Sequence, residues 1–343
     1  MLSWAHIPNI SVVREARARS VFGVHMRTDR VLRRTFVGMV ALAASFSRLE
    51  AQGTDQLRAS QLERARRATQ GYRDLDSAKR AGYVRAGIGG MDAPLMGEHW
   101  VNRALLNQPF NLERPAVLQY INVGDRRVLV GVAYGAWQRP GEPLPEGFAG
   151  DSDQWHSHDM PDLARGLSSH MGPVMRWLVE RRTTSGKGMG ADGRTQLVML
   201  HVWLYSENPD GIFANYNPAL PYLRAGLPAA WAEPGNFAAA RGMTLLADDA
   251  CATVTRRLGR VAGTDGAQGR EIETACTDAR SLILNARRDG LGGSRLNQVA
   301  GEAWQGFQKR AGGALSPEQR QALADLAGGM GEQMGEGHAE HMH

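Results

Sequence analysis

A chain of 343 residues, 43% hydrophobic and 22% charged, is long enough to bury a sizeable core and too apolar to be a disordered protein. Its net charge of +5 is confined to one end: residues 1–51 hold eight Arg against three acids, which leaves 32 basic and 32 acidic residues beyond. A neutral body has no surplus of cations for neutralising phosphates, so the basic pI of about 9.5 does not point to a nucleic-acid partner.

The basic end has the layout of an export signal. Arg27, Arg30, Arg33 and Arg34 form a positive region, and Thr35 to Ser47 is an uncharged, mostly apolar run. Leu49-Glu50-Ala51 then offers a small residue before a cut at Gln52. The run is too short for an ordinary transmembrane helix, so no membrane anchor is expected after cleavage. Residues 1–25 lack this logic, which suggests that translation starts at Met26. The expected location is periplasmic or secreted. In an oxidising compartment the two cysteines, Cys251 and Cys276, are expected to form one disulfide.

Helical spacing of Leu57, Leu62, Ala65, Ala68 and Tyr72 predicts a helix from 54, and Leu75, Ala78 and Tyr83 extend the pattern to 86. Asp74-Leu75-Asp76 reads as the cap of a second helix there. The run Gly87 to Gly97 breaks the pattern. Residues 98–217 read mainly as β-structure. Ala116 to Asn122 and Arg127 to Trp137 are rich in β-branched and aromatic residues, and Val123-Gly124-Asp125-Arg126 joins them as a hairpin. Gln196 to Tyr205 is a third strand. Between these lie a Pro/Gly-rich loop from Arg139 to Gly150, a helix over Pro161 to Arg182, and turn residues from Thr183 to Gly193. The Asn208-Pro209-Asp210-Gly211 and Asn215-Tyr216-Asn217-Pro218 stretches read as tight turns closing the sheet. Helices are predicted over 237–259, 268–288, 294–311 and 316–328, the last opened by Ser316-Pro317-Glu318. The end of the chain, 330–343, is a disordered tail in which Met330, Met334, His338, His341, Met342 and His343 suggest copper capture. The whole is an α+β fold. Residues 1–51 precede it, 52–235 hold the N-terminal helices and the β-rich module, and 236–329 form a helical region.

Chemistry concentrates in the β-rich module. His99 follows Glu98, His156 and His158 flank Ser157 and precede Asp159, and His201 sits inside a strand. Residues two apart on a strand face the same way, so both rings of an H-x-H pair can reach one ion. Neutral imidazole suits copper or zinc. Glu98 and Asp159 add an oxygen ligand or orient a ring. The other reading makes His201 a hydrogen-bonded core residue and leaves His156 and His158 on a solvated loop. His201 is expected to point inward, because Leu200 and Val202 must be buried on the other face. Cupins place H-x-H before their glycine-histidine element, whereas here the order is reversed, so a cupin is not indicated. H-E-x-x-H, G-x-S-x-G and phosphate-loop signatures are missing.

The segments GYRDLDSAKRAGYV (71–84), MGEHWVN (96–102) and LHVWLYSENPDGIFANYNP (200–218) resemble, in order, a pattern in exported bacterial proteins of no assigned activity. There a G-x-H-W/Y-V-N element precedes L-H-V-W…N-P-x-G-x-F…N-P. The resemblance covers residues 65–220 and implies that His99 and His201 belong to one module. The functional expectation is an exported protein that binds a transition-metal ion through His99, His156, His158 and His201, with Glu98 and Asp159 beside them. The alternatives are a metal-dependent enzyme on the same histidines and a metal-free structural or interaction module of the cell envelope.

Overall fold

The computed structural model describes residues 52–86, 93–159 and 194–328. The export signal, the Met26 start, most of the Gly87 to Gly97 run, the 161–182 helix, the 183–193 turns and the 330–343 tail lie outside them. Residues from Thr54 onward belong to one compact unit. The architecture is α+β: an N-terminal helix, a six-stranded antiparallel sheet and a helical C-terminal region.

Helix α1 spans 52–69, and α2 spans Leu75–Arg80. The expected cap is present: the Asp74 carboxylate accepts from the Asp76 and Ser77 amides at 3.2 and 3.1 Å. The expected extension to 86 is wrong. Gly82 adopts φ 89°, and the amides of Gly82 and Tyr83 return to the carbonyls of Lys79 and Ala78. This glycine-centred C-terminal motif ends the helix early. Tyr83 leaves the helix, and its hydroxyl donates to the Pro115 carbonyl at 2.6 Å.

The strands are β1 (Val84–Arg85), β2 (Glu98–Val101), β3 (Val117–Val123), β4 (Arg126–Gln138), β5 (His156–Asp159) and β6 (Gln196–Val202). Their order across the sheet is β1-β2-β3-β4-β6-β5, so among the described residues β5 is an edge strand. The β3–β4 hairpin turns at Gly124, whose φ of 59° fits the tight connection. The third predicted strand is shorter than expected. It ends at Val202, after which the Trp203 amide turns to the Ile212 carbonyl.

One face of the sheet carries Trp100, Leu118, Tyr120, Val132, Leu200 and Val202, which share a core with Ala65 of α1 and Ala78 of α2. Tyrosine hydroxyls lock the helical segment to it. Tyr120 donates to the Tyr72 carbonyl at 2.5 Å and Tyr205 to the Arg66 carbonyl at 2.8 Å. The other face is the one that bears the histidines.

Helices α3 (Leu220–Arg224), α4 (Phe237–Thr244), α5 (Ala250–Ala262), α6 (Gly266–Arg288), α7 (Gly293–Gly313) and α8 (Pro317–Gly328) complete the chain. The single helix expected over 237–259 is two. Leu245 and Leu246 turn into the core, and the chain restarts at Asp249, the N-cap of α5, whose carboxylate accepts from Thr253 Oγ1 at 2.8 Å. Met243, Leu258, Ile272, Ile283, Leu296 and Phe307 anchor the helical core. Tyr222 of α3 ties it to α7 by donating to Asn297 Oδ1 at 2.7 Å. Cys251 of α5 and Cys276 of α6 form the expected disulfide, with Cα atoms 5.5 Å apart. Among the described residues, no helix is long and apolar enough to cross a membrane.

Candidate metal centre

Strand register decides which side chains meet. His99 of β2 is paired with Gln119 of β3, and Gln119 with Gly131 of β4. Further along β4, Ala133 is paired with His201 of β6, and on the sheet edge His156 and His158 of β5 are paired with Met199 and Leu197. Alternation along each strand then puts all four histidines on one face. The intervening β4 positions carry almost no side chain, which lets rings from β2 and β6 approach each other above it. His99 and His201 have ring centres 5.7 Å apart, His156 and His201 5.1 Å, and His156 and His158 4.8 Å. Two imidazoles bound to one tetrahedral ion, with bonds of about 2 Å, have ring centres about 5 Å apart. As placed, however, no three His, Cys, Asp or Glu side chains among the described residues form a ready ligand set.

Two local irregularities shape this face. The β3–β4 register shifts between Gln119 and Tyr120, so Val130 is an extra residue in β4. Beside it, Gly131 leaves the space in which the Gln119 carboxamide lies. A Cβ at 131 would stand 2.9 Å from Gln119 Oε1 and 3.1 Å from Trp203 Cε3. Gln119 is fully buried, donates to the Met96 carbonyl at 3.1 Å and lies with its amide 3.5 Å from His201 Nδ1.

His201 is fully buried, between Leu200 and Val202, which are buried on the opposite face. Its Nδ1 lies 2.9 Å from the Asn215 carbonyl. A carbonyl only accepts, so Nδ1 carries the proton and Nε2 is left as a bare lone pair. That Nε2 has no hydrogen-bond partner among the described residues, and neither does His158 Nδ1. Asn215 reaches a second ring as well, since its side chain lies against His156. The loop that carries Asn215 is held rigidly. Asn217, also fully buried, donates to Ser206 Oγ and the Glu207 carbonyl and accepts from the Ala219 amide. Asn208 donates to the Tyr216 carbonyl at 2.8 Å. The first Asn-Pro stretch is the tight turn the sequence indicates, closed by the Gly211 amide on the Asn208 carbonyl, whereas the second turn falls later, over Asn217 to Leu220.

Burial keeps the rings of His156, His158 and His201 neutral at pH 7. Burial, and secondarily His158, hold His156 down to about 4, against the opposing pull of the Gln154 backbone and the Asn215 side chain. Burial and then His99 hold His158 down to about 4. His201 lies well below the ordinary histidine range, first through burial and then through His156, His99 and His158. Neutral imidazole is the form that ligates a metal.

Of the two carboxylates expected beside the rings, Glu98 does not join them. Glu98 alternates with His99 and therefore stands on the opposite face. There its carboxylate pairs with Arg85 and, at 2.7 Å, with Arg127, and accepts from Trp100 Nε1 at 3.2 Å. Asp159 ends β5, paired with Gln196; its side chain lies outside the described residues. Gln119 and Asn215 were not legible as site residues, because the first depends on a three-strand register and the second on where a loop returns.

No protein-family model, curated protein or solved structure matches the chain.

Proposed function

We propose that this protein binds one transition-metal ion, copper or zinc, through His99, His156, His158 and His201, in a compartment outside the cytoplasm. The observation that carries this reading is the buried Nε2 of His201, without a hydrogen-bond partner among the described residues, with the rings of His99 and His156 beside it and His158 next to His156. An orphaned buried lone pair costs about 1–3 kcal/mol, and a metal bond removes that cost. The Asn215 carbonyl supports the reading further, since ligating histidines commonly donate their second N–H to such an acceptor. The His99–His201, His156–His201 and His156–His158 ring pairs have about the spacing of co-ligands, which supports loading by ring rotation. The Cys251–Cys276 disulfide supports an oxidising location.

The test is elemental analysis of untagged protein purified without chelators. About one equivalent of copper or zinc is expected. Replacing His99 and His201 together with Ala removes it, while deleting residues 330–343 does not. Folded wild-type protein that takes up neither metal overturns the proposal.

A further inference from the structure

We infer that the ion is monovalent copper and that the thioether of Met199 is one of its ligands. This rests on the metal-binding reading of the four histidines. Met199 is the residue directly opposite His156 in the β5–β6 register, and it lies two positions before His201 on β6. Alternation puts it on the histidine face. Directly opposed residues of antiparallel strands have Cβ atoms about 5 Å apart, within reach of a methionine side chain and an imidazole for one ion. Met199 is only 8% exposed, so its sulfur is not lost to solvent.

Ligand chemistry then selects the metal. A thioether is a soft ligand that favours Cu(I), whereas zinc prefers thiolate, imidazole or carboxylate. No thiolate competes, because both cysteines are in the disulfide. The charge of the site points the same way. Glu98 is on the opposite face between two arginines, and among the described residues no acidic group acts on His156, His158 and His201. A buried set of neutral ligands leaves a divalent ion with its full charge uncompensated, while a monovalent ion is less costly to desolvate.

The experiment uses full-length oxidised protein, with Cu(I) supplied anaerobically by ascorbate and competed with bicinchoninate. Zinc binding is measured separately against a chromophoric chelator. Met199→Leu keeps the volume and apolar character of the position. It is expected to weaken Cu(I) binding at least about tenfold and leave zinc binding unchanged. X-ray absorption of the wild-type Cu(I) protein is expected to show a sulfur scatterer that the variant lacks. Unchanged Cu(I) affinity in a folded variant, an equal loss for both metals, or a nitrogen-only copper shell in the wild type overturns the assignment while leaving metal binding itself intact. If the variant does not fold, the wild-type absorption spectrum decides alone. Wild-type protein that binds neither metal overturns the underlying reading instead.

Discussion

His201 Nδ1 and the main-chain carbonyl of Asn215, 2.9 Å apart, form the contact that fixes the chemistry of the histidine face. It holds the most buried ring in one tautomer and one orientation before any ligand arrives. Nitrogen-15 NMR of histidine-labelled apo-protein at pH 7 is expected to show His201 neutral and protonated on Nδ1. His201→Ala removes a fully buried ring and strands a carbonyl. It is expected to lower stability by about 2–4 kcal/mol in urea titrations. A ring protonated on Nε2 contradicts this geometry.

The apo-protein is expected to weaken as acid is added, starting near pH 6.5. His156 and His158 have folded pKa values pushed down to about 4, and His201 is shifted the same way. In the unfolded chain a histidine titrates near 6.5. Above that pH both states are neutral and no dependence arises. As pH falls from 6.5 to 4, the unfolded chain takes up protons that the folded one excludes, so stability is lost across that window and the loss levels off below it. The rings interact, so the loss is smaller than the sum of three independent groups. Urea midpoints measured from pH 7.5 to 4.5 check this, and a His156→Gln, His158→Gln double variant is expected to flatten the slope.

Two glycines are expected to resist substitution to different degrees. A methyl at Gly242 of α4 would overlap the backbone carbonyl of Ala300 on α7, and neither helix can move without opening the core. Gly242→Ala is therefore expected to cost about 3 kcal/mol or more. At Gly131 the nearest atom is a side-chain oxygen of Gln119, which can shift, although Val202 O at 3.0 Å cannot. Gly131→Ala is expected to cost about 1–3 kcal/mol and to disturb the histidine face. Chemical denaturation ranks the two.

The disulfide closes a loop with a sequence separation of 25 residues. In the chain-entropy model this stabilises the folded state by about 3 kcal/mol. Cys251→Ala with Cys276→Ala is expected to lose about that much, plus a smaller packing term because Cys276 is fully buried in the helical core. Denaturation of the oxidised, reduced and double-Ala proteins checks it.

Periodicity and turn chemistry made the hairpin, the Asp74 cap and most of the C-terminal helices readable from residues alone, because each is determined within a dozen positions. The failures share a cause. The helix drawn through Tyr83 ignored Gly82, whose left-handed conformation outweighed an apolar spacing that serves a tertiary contact instead. The helix drawn through 245–249 followed two leucines that point inward and overlooked the paired aspartates after them. At the site, alternation alone placed His201 inward and could have flagged Met199, two residues away on the same strand. Alternation also puts Glu98 on the wrong side of β2 from His99, a point lost when the residues were read as a cluster in sequence. The role of Gln119 needed the order of β2, β3 and β4, which pattern along a single strand does not contain.

The position of β5 has a consequence for how the molecule is put together. His99 and His201 come from strands flanked on both sides, whereas His156 and His158 ride on a four-residue strand bonded to β6. Among the described residues, an outer strand is held by backbone bonds on one side alone, so it opens at lower cost than the strands flanked on both sides. Any ligand shared between β5 and the inner strands acts as a rivet through that seam. Its binding energy is then spent partly on fastening the margin of the sheet, and its departure frees the margin first.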